Sequence, residues 1–110
     1  MAHYLLQLSY SDAAWAAMIK RPQNRVEAVR KAVENLGGTI AGFWMSFGDH
    51  DIVGILEMPD NIGAAAFAMA IAAGGACHNV KTTPLITIED GMAAMKKAAA
   101  CGYKPATAKK

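Results

Sequence analysis

The chain has 110 residues, of which 54% are hydrophobic and only 18% charged, and its 11 basic and 9 acidic residues leave a net charge of +2. That length suits a single domain with one hydrophobic core. The near-balanced charge, with no basic stripe interleaved with aromatics, lacks the electrostatic footprint of a nucleic-acid binder, and the small charged share points to apolar surface hidden against another subunit.

Met1–Tyr10 has no basic region followed by an apolar run and a cleavage site, so no signal peptide is expected. His3–Tyr10, apolar with aromatic and polar interruptions, reads as the first strand. Ser11 or Asp12 can cap a helix on which Trp15, Met18 and Ile19 share helical spacing, and Pro22 interrupts it. From Gln23 onward, Val26, Val29, Val33 and Leu36 recur at three- and four-residue steps, the clearest amphipathic helix in the chain. Gly37-Gly38 ends it. Thr39–Phe47 is a strand, Gly48-Asp49-His50 a turn and Asp51–Met58 the next strand, which together make a hairpin. Pro59-Asp60 starts a helix to about Ala73, and Gly74-Gly75 breaks it.

The longest charge-free stretch, Asn61–Val80, is rich in Ala and Gly and carries polar residues. It reads as a packed helix followed by a strand, so no membrane partner is expected. Asn79–Ile88 is the fourth strand, with Pro84 marking an edge position. Glu89 and Asp90 start a last helix to about Ala100, and residues 101–110 read as a flexible tail after a single domain over 1–100. The pattern is an α+β, ferredoxin-like βαββαβ fold with an extra C-terminal helix. Cys77 and Cys101 have no zinc-type spacing and read as free thiols in a reducing, cytoplasmic compartment.

Strand parity predicts self-association. Glu57 should avoid the helix-covered core, which places Val53 and Ile55 on the same, uncovered side of the sheet. Two helices cover one face of a four-stranded sheet, and an uncovered apolar face calls for a partner, most simply a second copy. Alternatively the last helix, through Met92 and Met95, covers that face within one chain.

The segment Trp44-Met45-Ser46-Phe47-Gly48-Asp49-His50-Asp51-Ile52-Val53, followed by Glu57-Met58-Pro59-Asp60, resembles the GYD-domain family. That family has an aromatic-rich strand, a Gly-x-Tyr-Asp turn, an apolar strand and then Pro-Asp. Asn79-Val80-Lys81-Thr82 is similar to its Asn-Val-Arg-Thr segment, and Tyr4-Leu5-Leu6 and the Gly-Gly after the long helix fit as well. The resemblance spans roughly residues 2–95. It implies a small bacterial α+β domain similar to the dimeric α/β-barrel proteins, and it implies no defined reaction. His50 stands where the family has Tyr.

The expected strand order 4-1-3-2 brings the end of strand one, the hairpin turn and the start of strand four to one end of the sheet. Tyr10, Ser11, Asp49, His50, Asp51, Cys77 and His78 gather there. A histidine flanked by carboxylates is a candidate general base, so His50 and Asp51 are the candidate catalytic pair. Tyr10, Trp44, Asp49, Cys77 and His78 are candidate ligand-binding residues. Two His with Asp or Cys also suit a transition metal, although Cys77 and His78, as neighbours on a strand, point to opposite faces; the sequence names no metal and no cofactor.

Plainer roles compete at each position. Asp49 and Asp51 are ordinary turn residues, His50 beside glycine tolerates a positive φ, Cys77 suits a small buried site, and Trp15 and Trp44 suit the core or an interface. Three functions follow from these readings. The first is an oligomeric protein that binds a small molecule between sheet and helices. The second is a cofactor-independent enzyme of the dimeric α/β-barrel kind using His50. The third is a non-catalytic assembly module.

Overall fold

A computed structural model describes residues 1–107. Four strands, β1 (Ala2–Tyr10), β2 (Thr39–Met45), β3 (Ile52–Met58) and β4 (Cys77–Leu85), form one antiparallel sheet in the order β2-β3-β1-β4. Four helices, α1 (Asp12–Lys20), α2 (Val26–Asn35), α3 (Asn61–Ala73) and α4 (Ile88–Ala100), complete an α+β architecture consistent with the ferredoxin-like fold. The strand order is the predicted one, and Pro84 lies on an edge strand. Strand two ends at Met45, before Phe47, and strand four begins at Cys77, before Asn79. Part of the expected tail, residues 108–110, lies outside the described residues.

Alternation along the central strands divides the two faces. Tyr4, Leu6 and Leu8 of β1 and Ile52, Leu56 and Met58 of β3 are buried on the helix side. Val33 of α2 and Ala64 and Phe67 of α3 close over them, so the apolar spacing of both helices is spent on this core. Gly54 belongs to the same side, where the ring of Phe43 occupies the space a side chain would fill; a Cβ there would fall 2.7 Å from Phe43 Cδ1. Short polar side chains fix the helix starts. Ser11 Oγ accepts from Ala14 N at 3.1 Å, Asp60 Oδ1 from Gly63 N at 2.9 Å and Thr87 Oγ1 from Asp90 N at 3.0 Å. The Tyr4 hydroxyl reaches from the core to donate to Asn61 Oδ1 at 2.6 Å.

The other face carries no helix. By register it presents His3, Leu5 and Gln7 of β1, Val53, Ile55 and Glu57 of β3, Trp44 of β2 and Lys81 and Thr83 of β4. Trp44 is 57% exposed, and its indole spreads over Gly42. Helix α4 does not fold back onto this face. All its residues except Gly91 are exposed, and the molecule measures 65 × 30 × 22 Å.

Candidate functional site

The end of the sheet where β1 finishes does gather the predicted segments. Tyr10 pairs with Cys77 and Ser9 with His78. Ser11 N donates to Ala76 O at 2.8 Å, and Asp51 N donates to Leu8 O at 2.8 Å. Strand parity then divides the candidates between the two faces.

On the helix side, α2 lies over β2 while α3 lies over β4 and β3, which leaves a gap between them. A cavity of about 320 Å³ fills this gap. Its walls are Leu8, Val29, Phe43, Ile52, Phe67 and Ile71, widened by small residues such as Ala28, Ala32, Ala70 and Gly74. Three chemically distinct groups enter it: the Tyr10 phenol, the Cys77 thiol and Arg25. A second hollow of about 270 Å³ adjoins it and shares Tyr10, Arg25, Phe43 and Ile52; Trp44 and Met18 lie on its rim. Burial pushes the Cys77 thiol above its ordinary value of 9.0, with Arg25 opposing. Burial also raises the Tyr10 phenol above 10.0, reinforced by Cys77, with Arg25 pulling the other way. Both groups are therefore protonated at neutral pH, and Arg25 is the cation that faces them.

On the helix-free side, a shallow cavity of about 400 Å³ is lined by Gln7, Ser46, Phe47, Asp49, His50 and Lys81. The hairpin tip is held by Ser46, whose hydroxyl donates to His50 O at 2.6 Å and whose N–H donates to Asp51 O at 2.8 Å. His50 and Asp49 thus share one cavity, and Tyr10 and Cys77 share another. His78 is exposed and lines neither. Among the described non-glycine residues a positive φ occurs only at Asn79, at 51° where β4 is irregular, so His50 does not occupy the left-handed conformation considered for it in the turn.

Asp51 is engaged elsewhere. Its Oδ2 accepts from Tyr10 N at 2.8 Å and from Trp15 Nε1 at 3.2 Å. The Trp15 ring meets Tyr10 edge-on, with centroids 5.3 Å apart. This carboxylate therefore ties the end of β1 to α1 and to the start of β3. Among the described residues no group of three or more His, Cys, Asp or Glu side chains is placed to hold a metal ion. Both cysteines are free, and no described helix is long and apolar enough to cross a membrane.

Arg25 is the cavity residue that sequence reasoning missed. It reads as the solvent face of an amphipathic helix. Its place at the N-terminal end of α2, one turn before Val29, was the signal that it reaches the same end of the sheet as Tyr10.

A comparison with curated proteins finds no match. The family model of the GYD domain matches residues 4–95, which takes in most of β1, all of β2 to β4 and α1 to α3, and the first part of α4. With that match over most of its length, the β2–β3 hairpin in the sheet and Pro59-Asp60 capping α3, the chain belongs to the GYD-domain family.

Proposed function

We propose that this GYD-domain protein is a self-associating, small-molecule-binding protein whose ligand occupies the gap between α2, α3 and the sheet. The observation that carries this reading is the cavity of about 320 Å³ that combines apolar walls with Tyr10, Arg25 and Cys77. Binding sites for small molecules combine mostly apolar linings with a few convergent polar groups. A cation at the mouth of the cavity, the exposed Arg25, beside a protonated phenol favours an anionic or carbonyl oxygen, so the ligand class is a small apolar carboxylate or ketone. Two free thiols accord with a reducing, cytoplasmic setting.

Short aliphatic and aromatic monocarboxylates, tested as a panel, are expected to raise the melting temperature and to slow alkylation of Cys77 by iodoacetamide. Exposed Cys101 serves as the internal control. Arg25→Ala should weaken binding about 10-fold or more, the worth of one charge-assisted hydrogen bond. A panel that neither stabilises the protein nor protects Cys77 contradicts the reading and favours an assembly module with no ligand.

A second reading, acid/base catalysis by His50, is favoured by the separate cavity that His50 shares with Asp49 and Lys81. It gives Asp49 the place of the neighbouring carboxylate, because Asp51 Oδ2 is held by Tyr10 and Trp15. A His50→Ala variant is expected to lose at least about 100-fold in turnover of any substrate found for that cavity, and full turnover removes His50 from the chemistry.

Self-association rests on the helix-free face. Leu5, Val53, Ile55 and Trp44 form an apolar patch there, and among the described residues no element of the same chain covers it. Patches of that kind on small domains mark interaction sites.

A further inference from the structure

We propose that the two copies exchange their last helices, with α4 of each lying on the helix-free sheet face of the other. The inference rests on the reading that a second copy covers that face, and it names the element that does so.

Helix α4 cannot account for its own stability. It has 13 residues, with Ile88 84% exposed, Met92 54% and Met95 71%. An isolated helix of that length is marginal in water, and helices in proteins persist by docking an apolar stripe. The stripe is well defined. At 100° per residue, Ile88, Met92, Met95 and Ala99 lie within about 60° of arc, and Gly91 and Ala98 extend it on one side. Glu89, Asp90, Lys96 and Lys97 all lie on the opposite side of the helix. This is the pattern of a helix built to bury one side, yet among the described residues of its own chain none covers Ile88, Met92 or Met95.

The same chain leaves one surface that fits. The middle of the helix-free face, along β1 and β3, is Leu5, Val53 and Ile55, flanked by Trp44 and Thr83, with His3 and Glu57 paired 3.1 Å apart at one end and Lys81 toward the other. A helix is about 10 Å across and covers two strands spaced about 4.8 Å apart. Thirteen residues span about 20 Å, close to the length of the seven-residue strand β3. An uncharged stripe thus meets an uncharged seam of matching length and width.

Chain geometry makes the exchange reciprocal. Leu85 pairs with His3, so β4 ends where β1 begins, and only Ile86 and Thr87 separate it from α4. Two copies placed with these ends facing each other project each α4 along the partner's sheet. The arrangement closes by a two-fold axis and uses every arm and every seat. Each contact occurs twice, which brings the buried surface into the range of about 1,200–2,000 Å² typical of stable dimers; a single arm on a single face reaches about half of that.

The test uses the full chain and two variants measured by sedimentation equilibrium. The arm variant carries Met92→Glu and Met95→Glu, and the seat variant carries Ile55→Lys. None of these side chains belongs to the core, so both variants should keep the wild-type circular dichroism. Each is expected to weaken a wild-type dimer at least about 1,000-fold, since every lost apolar contact is lost twice. An equimolar mixture of the two should then recover heterodimers, because the seat variant's intact arm meets the arm variant's intact seat. A dimeric arm variant overturns the exchange while leaving self-association standing, since the sheet faces then pack directly. A dimeric seat variant overturns it in favour of arm-to-arm pairing. Failure of the mixture to recover heterodimers overturns it as well, and a monomeric wild type removes both the exchange and self-association.

Discussion

Gly38→Ala is expected to destabilise the fold by about 3 kcal/mol, a large share of the stability of a small domain. A Cβ at Gly38 would lie 2.5 Å from the carbonyl oxygen of Glu57 and 3.1 Å from Val33 Cγ1, and it would press on Met58 Sδ. Val33 and Met58 are fully buried, and Glu57 belongs to a strand paired on both sides, so no flexible end is available to give way. Overpacking of this kind forces backbone shifts. Chemical denaturation monitored by circular dichroism measures the change directly, and an Ala variant within about 0.5 kcal/mol of wild type contradicts this account of the β2 start.

Asp51→Ala is expected to cost about 2–3 kcal/mol, the loss of hydrogen bonds to a charged acceptor together with the donors left without a partner. The Tyr10 N–H and the Trp15 indole N–H both donate to Asp51 Oδ2, so the substitution unties β1 and α1 at once. Asp51→Asn presents a carbonyl oxygen at the same place and should recover more than half of that cost. The pair of variants separates a tie from a catalytic group. A tie is damaged by Ala and spared by Asn, whereas a carboxylate needed for its charge is lost in both. Denaturation curves for the two variants check the order, and equal destabilisation contradicts it.

The sheet was legible because its signal is parity. Tyr4, Leu6 and Leu8 alternate with His3, Leu5 and Gln7, and Glu57 marks the helix-free side of β3, so the faces follow from side-chain direction, while the hairpin follows from its turn and the strand order from the βαββαβ sequence of elements. The second glycine of Gly37-Gly38 was legible only in part. Gly37, with a φ of +84°, makes the left-handed helix end that the pair predicts, whereas Gly38 is needed because two other elements crowd it, which local sequence does not report.

The site was half legible for a related reason. Topology brought Tyr10, the hairpin turn and Cys77 to one end of the sheet, as the strand order requires. It did not show that His50 and Asp49 open toward the helix-free side while Tyr10 and Cys77 open toward the helices. The place of Arg25 depends on how the turn around Pro22 returns the chain, and the Trp15–Asp51 bond on how α1 leaves the end of β1; no periodicity encodes either. The sequence likewise gave α4 an apolar stripe without saying where the stripe goes. Amphipathicity specifies that a side must be buried and leaves the burying surface to tertiary or quaternary structure.

The account turns on an apolar sheet face and an apolar arm that a single chain leaves bare. Sedimentation equilibrium of the unaltered protein at micromolar concentration tests this most directly. It should return a mass twice the 11.6 kDa of one chain, and a stable species of one chain's mass across the concentration range contradicts it.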